Sequence, residues 1–144
     1  MRIISKLTSI YYPILNHYPT LVSNSAIITK ILMEEYPGKN IHAIGMGTSG
    51  AVMIAMLLPH VKSCVVKKPE EQCHRAPISY VKPLEIGMII DDFMSTGRTI
   101  ETIGHQLNTY TPEVIDKIQI AALGEANTHT LVRLFPNLKL IITT

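Results

Sequence analysis

Five short apolar runs recur along the chain, and stretches of helical character stand between them. This alternation constrains the fold more than any other feature. The runs occupy residues 41–44, 61–66, 85–90, 118–123 and 138–142. Helices are predicted over about 51–58, 99–107 and 128–134. An earlier helix, capped by Ser23 or Asn24, runs to about Tyr36, where Pro37 and Gly38 stop it. Its apolar positions Ile27, Ile28, Ile31 and Leu32 recur at helical spacing. Strands alternating with helices build a parallel sheet through right-handed crossovers. Strands that are apolar almost throughout suit a sheet covered on both faces. Residues 1–22 hold Tyr11, Tyr12, Tyr18, Pro13 and Pro19 and read as a short helix followed by an irregular arm. Residues 78–81 form a candidate short strand.

The chain has 144 residues, 47% of them hydrophobic and 17% charged, which is enough to bury one core in a single domain over 1–144. The net charge of +2 is too small and too dispersed for a nucleic-acid partner. Cys64 and Cys73 are too few for a disulfide scaffold. Cys73 with His74 is too sparse a donor set for zinc. The longest apolar run, residues 51–58, falls well short of the ~20 residues that span a bilayer. No leader-like stretch follows Arg2 and Lys6, so the expected setting is the cytoplasm, with two reduced thiols.

In such sheets ligands bind beyond the carboxyl ends of the strands. Three segments fall there. The most informative begins with apolar residues 88–90 and enters Asp91-Asp92, then Phe93-Met94, then Ser95-Thr96-Gly97-Arg98-Thr99. Amides at a helix start lack intrahelical partners and favour an anion. Ser95, Thr96 and Thr99 add hydroxyls, and Gly97 lets the backbone approach a phosphate closely. Asp91 and Asp92 can accept hydrogen bonds from vicinal hydroxyls or help hold a hydrated divalent cation. From the residues alone, an ordinary helix cap behind an acidic strand end stays open. A kinase reading of Asp92-Phe93 fails, because Met94 stands where glycine would be needed.

Apolar strand, two acids, two variable residues and a hydroxyl-Thr-Gly-x-Thr turn: this order resembles the phosphoribosyl-pyrophosphate loop of type I phosphoribosyltransferases. The resemblance implies a three-layer α/β sandwich, a mainly parallel sheet of five or six strands and a small hood to which residues 1–22 would contribute. It makes Asp91 and Asp92 the acids that contact the ribose hydroxyls and, indirectly, Mg²⁺. It makes Ser95, Thr96, Gly97, Arg98 and Thr99 the 5-phosphate turn, with Ser95 replacing the commoner threonine.

The second segment, Gly45-x-Gly47-x-x-Gly50, also fits a dinucleotide fingerprint. That motif wants an acid at the end of the next strand, where Lys67 and Lys68 stand instead. A dinucleotide binder is the rival reading, and a tight turn without a ligand is the plain one. The resemblance gives the turn another role: Gly47, Thr48 and Ser49 would meet the pyrophosphate. Lys68, in the third segment, matches the family's basic residue there, although a solvated strand end is the default for two lysines. Residues 69–77 match the family's catalytic loop, with His74 and Arg75 its charged candidates and Arg75 placed to reach the pyrophosphate.

His42 reads as a core residue and His105 as solvent-facing. Met46 and Met94 sit in the two ligand loops, and Phe135 or an N-terminal tyrosine is a candidate to stack on a base. The resemblance implies transfer of phosphoribosyl from phosphoribosyl pyrophosphate to a nucleobase, with Mg²⁺, in a cytoplasmic homodimer without nucleic-acid or membrane partners. A non-catalytic binder of the same sugar is the alternative. No arginine of the orotate-binding kind follows the strand near residue 123, so the base stays open.

Overall fold

The computed structural model describes residues 1–10, 14–71, 77–78, 85–91, 96–122 and 128–144. Six strands form one sheet: β1 (Arg2–Ser5), β2 (Ile41–Met46), β3 (Lys62–Val66), β4 (Ile86–Asp91), β5 (Ile118–Ala122) and β6 (Leu140–Thr143). Their order is β1-β6-β5-β4-β2-β3, and every paired strand is parallel. Four α-helices complete the described chain: α1 (Tyr18–Glu35), α2 (Gly47–Ala55), α3 (Arg98–Tyr110) and α4 (Thr128–Leu134).

Side chains alternate between the faces of a strand, and the core divides accordingly. Ala43, Met88, Ile90, Ala121, Leu140 and Ile142 face α1 and α2, meeting Leu21, Ile28, Leu32, Met53 and Ile54. Ile44, Ile89, Ile120 and Ile141 face the other way and meet Ile100, Ile103, Leu107 and Leu131. This is the expected three-layer α/β sandwich, with a six-stranded parallel sheet.

The N-terminal part differs from the expected helix and arm. Arg2–Ser5 is an edge strand paired with β6, and Leu7 and Ile10 are core residues. Its run of two isoleucines is too short to distinguish from a helix fragment by period. A 3-10 turn, Ile14–His17, leads directly into α1, whose first turn carries Pro19. Asn24 therefore sits inside the helix and caps nothing. Its amide accepts from the Thr8 N–H and donates to the Thr8 carbonyl, both at 2.9 Å, and so ties the segment after β1 to α1.

Two other boundaries move. α2 starts at Gly47 rather than near residue 51, because β2 runs straight into it at Met46. α3 spans Arg98–Tyr110, longer than the predicted 99–107, and a 3-10 turn, Pro112–Lys117, connects it to β5. The candidate strand at 78–81 is described only at Ile78, which makes an antiparallel bridge to Val66, while the Lys67 N–H donates to the Pro77 carbonyl at 2.9 Å. Among the described residues no helix is long and apolar enough to cross a membrane.

Candidate functional site

From β2 the chain moves outward to β3, then returns to the far side of β2 to form β4. Crossovers therefore leave β2 and β4 toward opposite sides, and a crevice opens above their carboxyl ends. Met46 pairs with Val66, and Asp91 with Ala122. The β2–β4 register includes Ile44 with Ile89, so continuing it by two residues sets Met46 level with Asp91. All three sequence segments thus end on one edge of the sheet.

The glycine turn is shaped by close contacts. A Cβ on Gly45 would lie 2.8 Å from the Gly50 Cα, and one on Gly50 would lie 2.6 Å from the Gly45 carbonyl carbon. These two glycines let the start of α2 press against the end of β2. Gly47 has φ +64°, and a Cβ there would lie 2.6 Å from Lys68 Cε. The lysine stem therefore lies across the turn. α2 begins without a side-chain cap, which leaves first-turn amides for an outside acceptor.

Lys68 is itself held by a local turn. Its N–H donates to Glu71 Oε2 at 3.2 Å, and the Glu71 N–H donates to the Lys68 carbonyl at 3.1 Å. The side chain is exposed and lines two adjoining cavities. One, of about 440 Å³, also has Gly47, Thr48, Ala51 and Glu71 in its wall. The other, of about 500 Å³, extends from Met46 and Lys68 past Pro69 and Glu70 to Arg98, Thr99 and Thr102.

The start of α3 forms the far wall. Gly97 has φ +78° and occupies the cap position, where a side chain would be strained. Thr96 Oγ1 accepts from the Arg98 N–H at 3.3 Å. Two helix N-termini and two cations, Lys68 and Arg98, thus border one crevice, and unpaired amides at a helix start favour an anion. Glu70 and Glu71 are the opposing charges in its walls.

Asp91 is 8% exposed, at the end of β4. Of the sequence candidates, the structure brings Gly47, Thr48, Lys68, Arg98 and Thr99 to the crevice walls, and Met46 with them. Ser49 lies in the first turn of α2, and Thr96 and Gly97 precede α3, outside those two walls. Asp92, Met94, Ser95, His74 and Arg75 lie outside the described residues. Pro69 and Glu71 belong to the 69–77 segment assigned to the catalytic loop, while Thr102 had no role in the sequence. Thr102 follows Arg98 by one helical turn, which is the signal that finds it.

Three residues singled out in the sequence lie outside the crevice walls. Phe135 does not stack on a ligand. It is fully buried, and its ring lies 3.1 Å from where a Cβ on Gly104 would stand, so it fills the space under α3. His42 is a core residue as expected and His105 is exposed on α3.

No family model matches the sequence, and no curated protein matches it. Solved structures do. Adenine phosphoribosyltransferase from Saccharomyces cerevisiae superposes with a TM-score of 0.61 at 15% identity, over 92% of this chain and 82% of that one. The chain has the type I phosphoribosyltransferase fold. Orotate phosphoribosyltransferase from Francisella tularensis matches with a TM-score of 0.57 at 11% identity, over 87% of this chain and 67% of the other. A hypoxanthine-guanine phosphoribosyltransferase from Bacillus anthracis gives 0.50 at 14%, over 72% of this chain, and the match spans only 64% of the enzyme's length. These three phosphoribosyltransferases are named for different bases, so the shared fold leaves the acceptor undetermined.

Proposed function

We propose that the crevice binds phosphoribosyl pyrophosphate and that the chain transfers its phosphoribosyl group to a ring nitrogen of a nucleobase, releasing pyrophosphate. The observation that carries this reading is the seat of Lys68. Its stem lies over Gly47 while its cavity opens toward the start of α3, so a basic group stands between two anion-binding helix ends. A ligand with phosphate at one end and pyrophosphate at the other offers an anion to each helix start, which a single phosphate does not. Among the proteins of this fold, the Saccharomyces cerevisiae enzyme holds an iminoaltritol bisphosphate together with adenine.

In this mechanism the C1–O bond to pyrophosphate breaks and a C1–N bond forms. Positive charge grows on the ribose ring while negative charge grows on the leaving group. Ser95, Thr96, Gly97, Arg98 and Thr99 hold the 5-phosphate and so fix the ribose in place. Asp91 and Asp92 accept from the ribose hydroxyls and favour the cationic ring. Lys68, with the amides of Gly47, Thr48 and Ser49, stabilises the departing pyrophosphate. The family resemblance assigns Arg75 to the same group.

Mg²⁺ is the cofactor this reading implies. Among the described residues no cluster of three or more His, Cys, Asp or Glu side chains is available. Asp91 and Asp92 would hold the ion through water or the ribose hydroxyls, with substrate oxygens supplying the remaining ligands. When bound, Mg²⁺ neutralises charge on the leaving group.

Calorimetry with phosphoribosyl pyrophosphate and with NADPH tests the ligand, and release of pyrophosphate across a panel of nucleobases tests the reaction. Binding of the sugar alone, with turnover on one base class, is the expected result. Tight binding without turnover on any base would remove the transferase claim and leave a non-catalytic binder. Asp92→Asn is expected to fold normally and to bind the sugar at least about tenfold more weakly, a loss of roughly 1.4 kcal/mol. An unchanged affinity would displace the assigned site.

A further inference from the structure

The side-chain charges of the crevice do not reinforce its helix starts. Among the described residues, the walls of the two adjoining cavities carry Lys68 and Arg98 against Glu70 and Glu71, so the charges cancel. The same balance holds at the pyrophosphate end alone. There the wall is Gly47, Thr48, Ala51, Lys68 and Glu71, which is one cation and one carboxylate. Glu71 is held in this wall by the backbone of the lysine itself. Its Oε2 accepts from the Lys68 N–H at 3.2 Å, and its own N–H donates to the Lys68 carbonyl at 3.1 Å. The stem of Lys68 in turn crosses Gly47 at the start of α2. One short turn therefore keeps a carboxylate beside the lysine that would meet the pyrophosphate.

A carboxylate in that place has a chemical consequence. Free pyrophosphate carries several negative charges, and its repulsion by Glu71 grows with each of them. A divalent cation bound to the ligand cancels two of those charges and relieves the repulsion. We propose that Glu71 is a specificity-determining residue: its charge makes the pyrophosphate end of the crevice accept the ligand as its magnesium complex and reject the bare polyanion. The role is electrostatic, exerted by repulsion and not by ligation of the metal. It rests on the reading that this end of the crevice holds pyrophosphate.

The test is calorimetry with pyrophosphate, with excess Mg²⁺ and with a chelator, on the unaltered chain and on Glu71→Gln. Glutamine keeps an acceptor for the Lys68 N–H and removes only the charge. The unaltered chain is expected to bind the magnesium complex at least about tenfold more tightly than free pyrophosphate. Glu71→Gln is expected to gain about tenfold in affinity for free pyrophosphate and about threefold or less for the magnesium complex. Raising the salt from about 0.05 M to about 0.5 M is expected to shrink that gain, because screening weakens repulsion between charges in contact with solvent. A role in holding the turn alone would not respond in this way. Four results would each overturn the proposal and leave pyrophosphate in the crevice: equal affinity of the unaltered chain for the two forms, an unchanged or lower affinity of Glu71→Gln for free pyrophosphate, an equal gain for both forms, or a gain independent of salt. A loss confined to the magnesium complex would make Glu71 a metal ligand and overturn it as well. No binding of either form by the unaltered chain would remove pyrophosphate from the crevice, and both claims would fall together.

Discussion

His42 carries two ring nitrogens, both buried and neither with a hydrogen-bond partner among the described residues. Burial lowers its pKa from the ordinary value of 6.5, and Lys62, its neighbour on β3, lowers it further. The folded chain therefore keeps this imidazole neutral at a pH where the unfolded chain protonates it. Stability is fully present above pH 6.5 and falls as the pH drops below that value, because only the unfolded state takes up the proton. His42→Leu removes both orphan nitrogens. Urea titrations at neutral pH are expected to show a gain of about 1 kcal/mol, and the loss of stability between pH 7 and pH 5 is expected to shrink in the variant. Gly47 makes the opposite case, where an added atom does the harm. Alanine there would strain a backbone at φ +64° and push its Cβ into the Lys68 stem. Gly47→Ala is expected to cost about 1–2 kcal/mol in stability and to weaken phosphoribosyl pyrophosphate binding, read by thermal melts and by calorimetry. An unchanged affinity would show that Lys68 does not depend on the turn.

At the scale of elements, the joint between β1 and α1 rests on Asn24. A fully buried amide with two hydrogen bonds to the Thr8 backbone fixes the segment that follows the edge strand. Asn24→Leu leaves the Thr8 N–H and carbonyl without those partners, and chemical denaturation is expected to show a loss of about 2–4 kcal/mol. A loss below about 0.5 kcal/mol would mean that water replaces the amide. The two core strands and the starts of α3 and α4 were legible in the sequence because each carries its own signal, whereas α1 and α2 begin earlier than the sequence placed them. β2 and β4 are continuous apolar runs, while Gly45, Gly47, Gly50 and Gly97 punctuate the turns that follow them. The first strand was not legible. Arg2–Ser5 is four residues long, and it becomes a strand only because β6 offers it an open edge. For the same reason Asn24 reads as a cap in the sequence, since its true partner lies 16 residues away in the chain.

For the whole molecule, ligand binding and stability are linked. A ligand that binds only the folded state, at about a hundred times its dissociation constant, adds roughly 2.7 kcal/mol. Phosphoribosyl pyrophosphate with Mg²⁺ is therefore expected to raise the melting temperature by several degrees, and chelation of the metal is expected to lower that gain. A rise of the same size with NADPH would favour the dinucleotide reading. The crevice is built from the ends of β2, β3 and β4 and forms only when the sheet is assembled, so binding and folding are coupled.

The sequence by itself determined the alternation of strand and helix, the parallel sheet, and the segment from Asp91 to Thr99 with its acids, hydroxyls and glycine. These are local properties of period, charge and backbone freedom, and they survive without a partner. The tertiary structure decided what lies beside what. It set β2 next to β4, laid Lys68 over Gly47, joined Arg2–Ser5 to β6, and buried Phe135 under α3. Each of these depends on contacts between residues far apart in the chain, where packing of the whole core, not any local preference, chooses the neighbour.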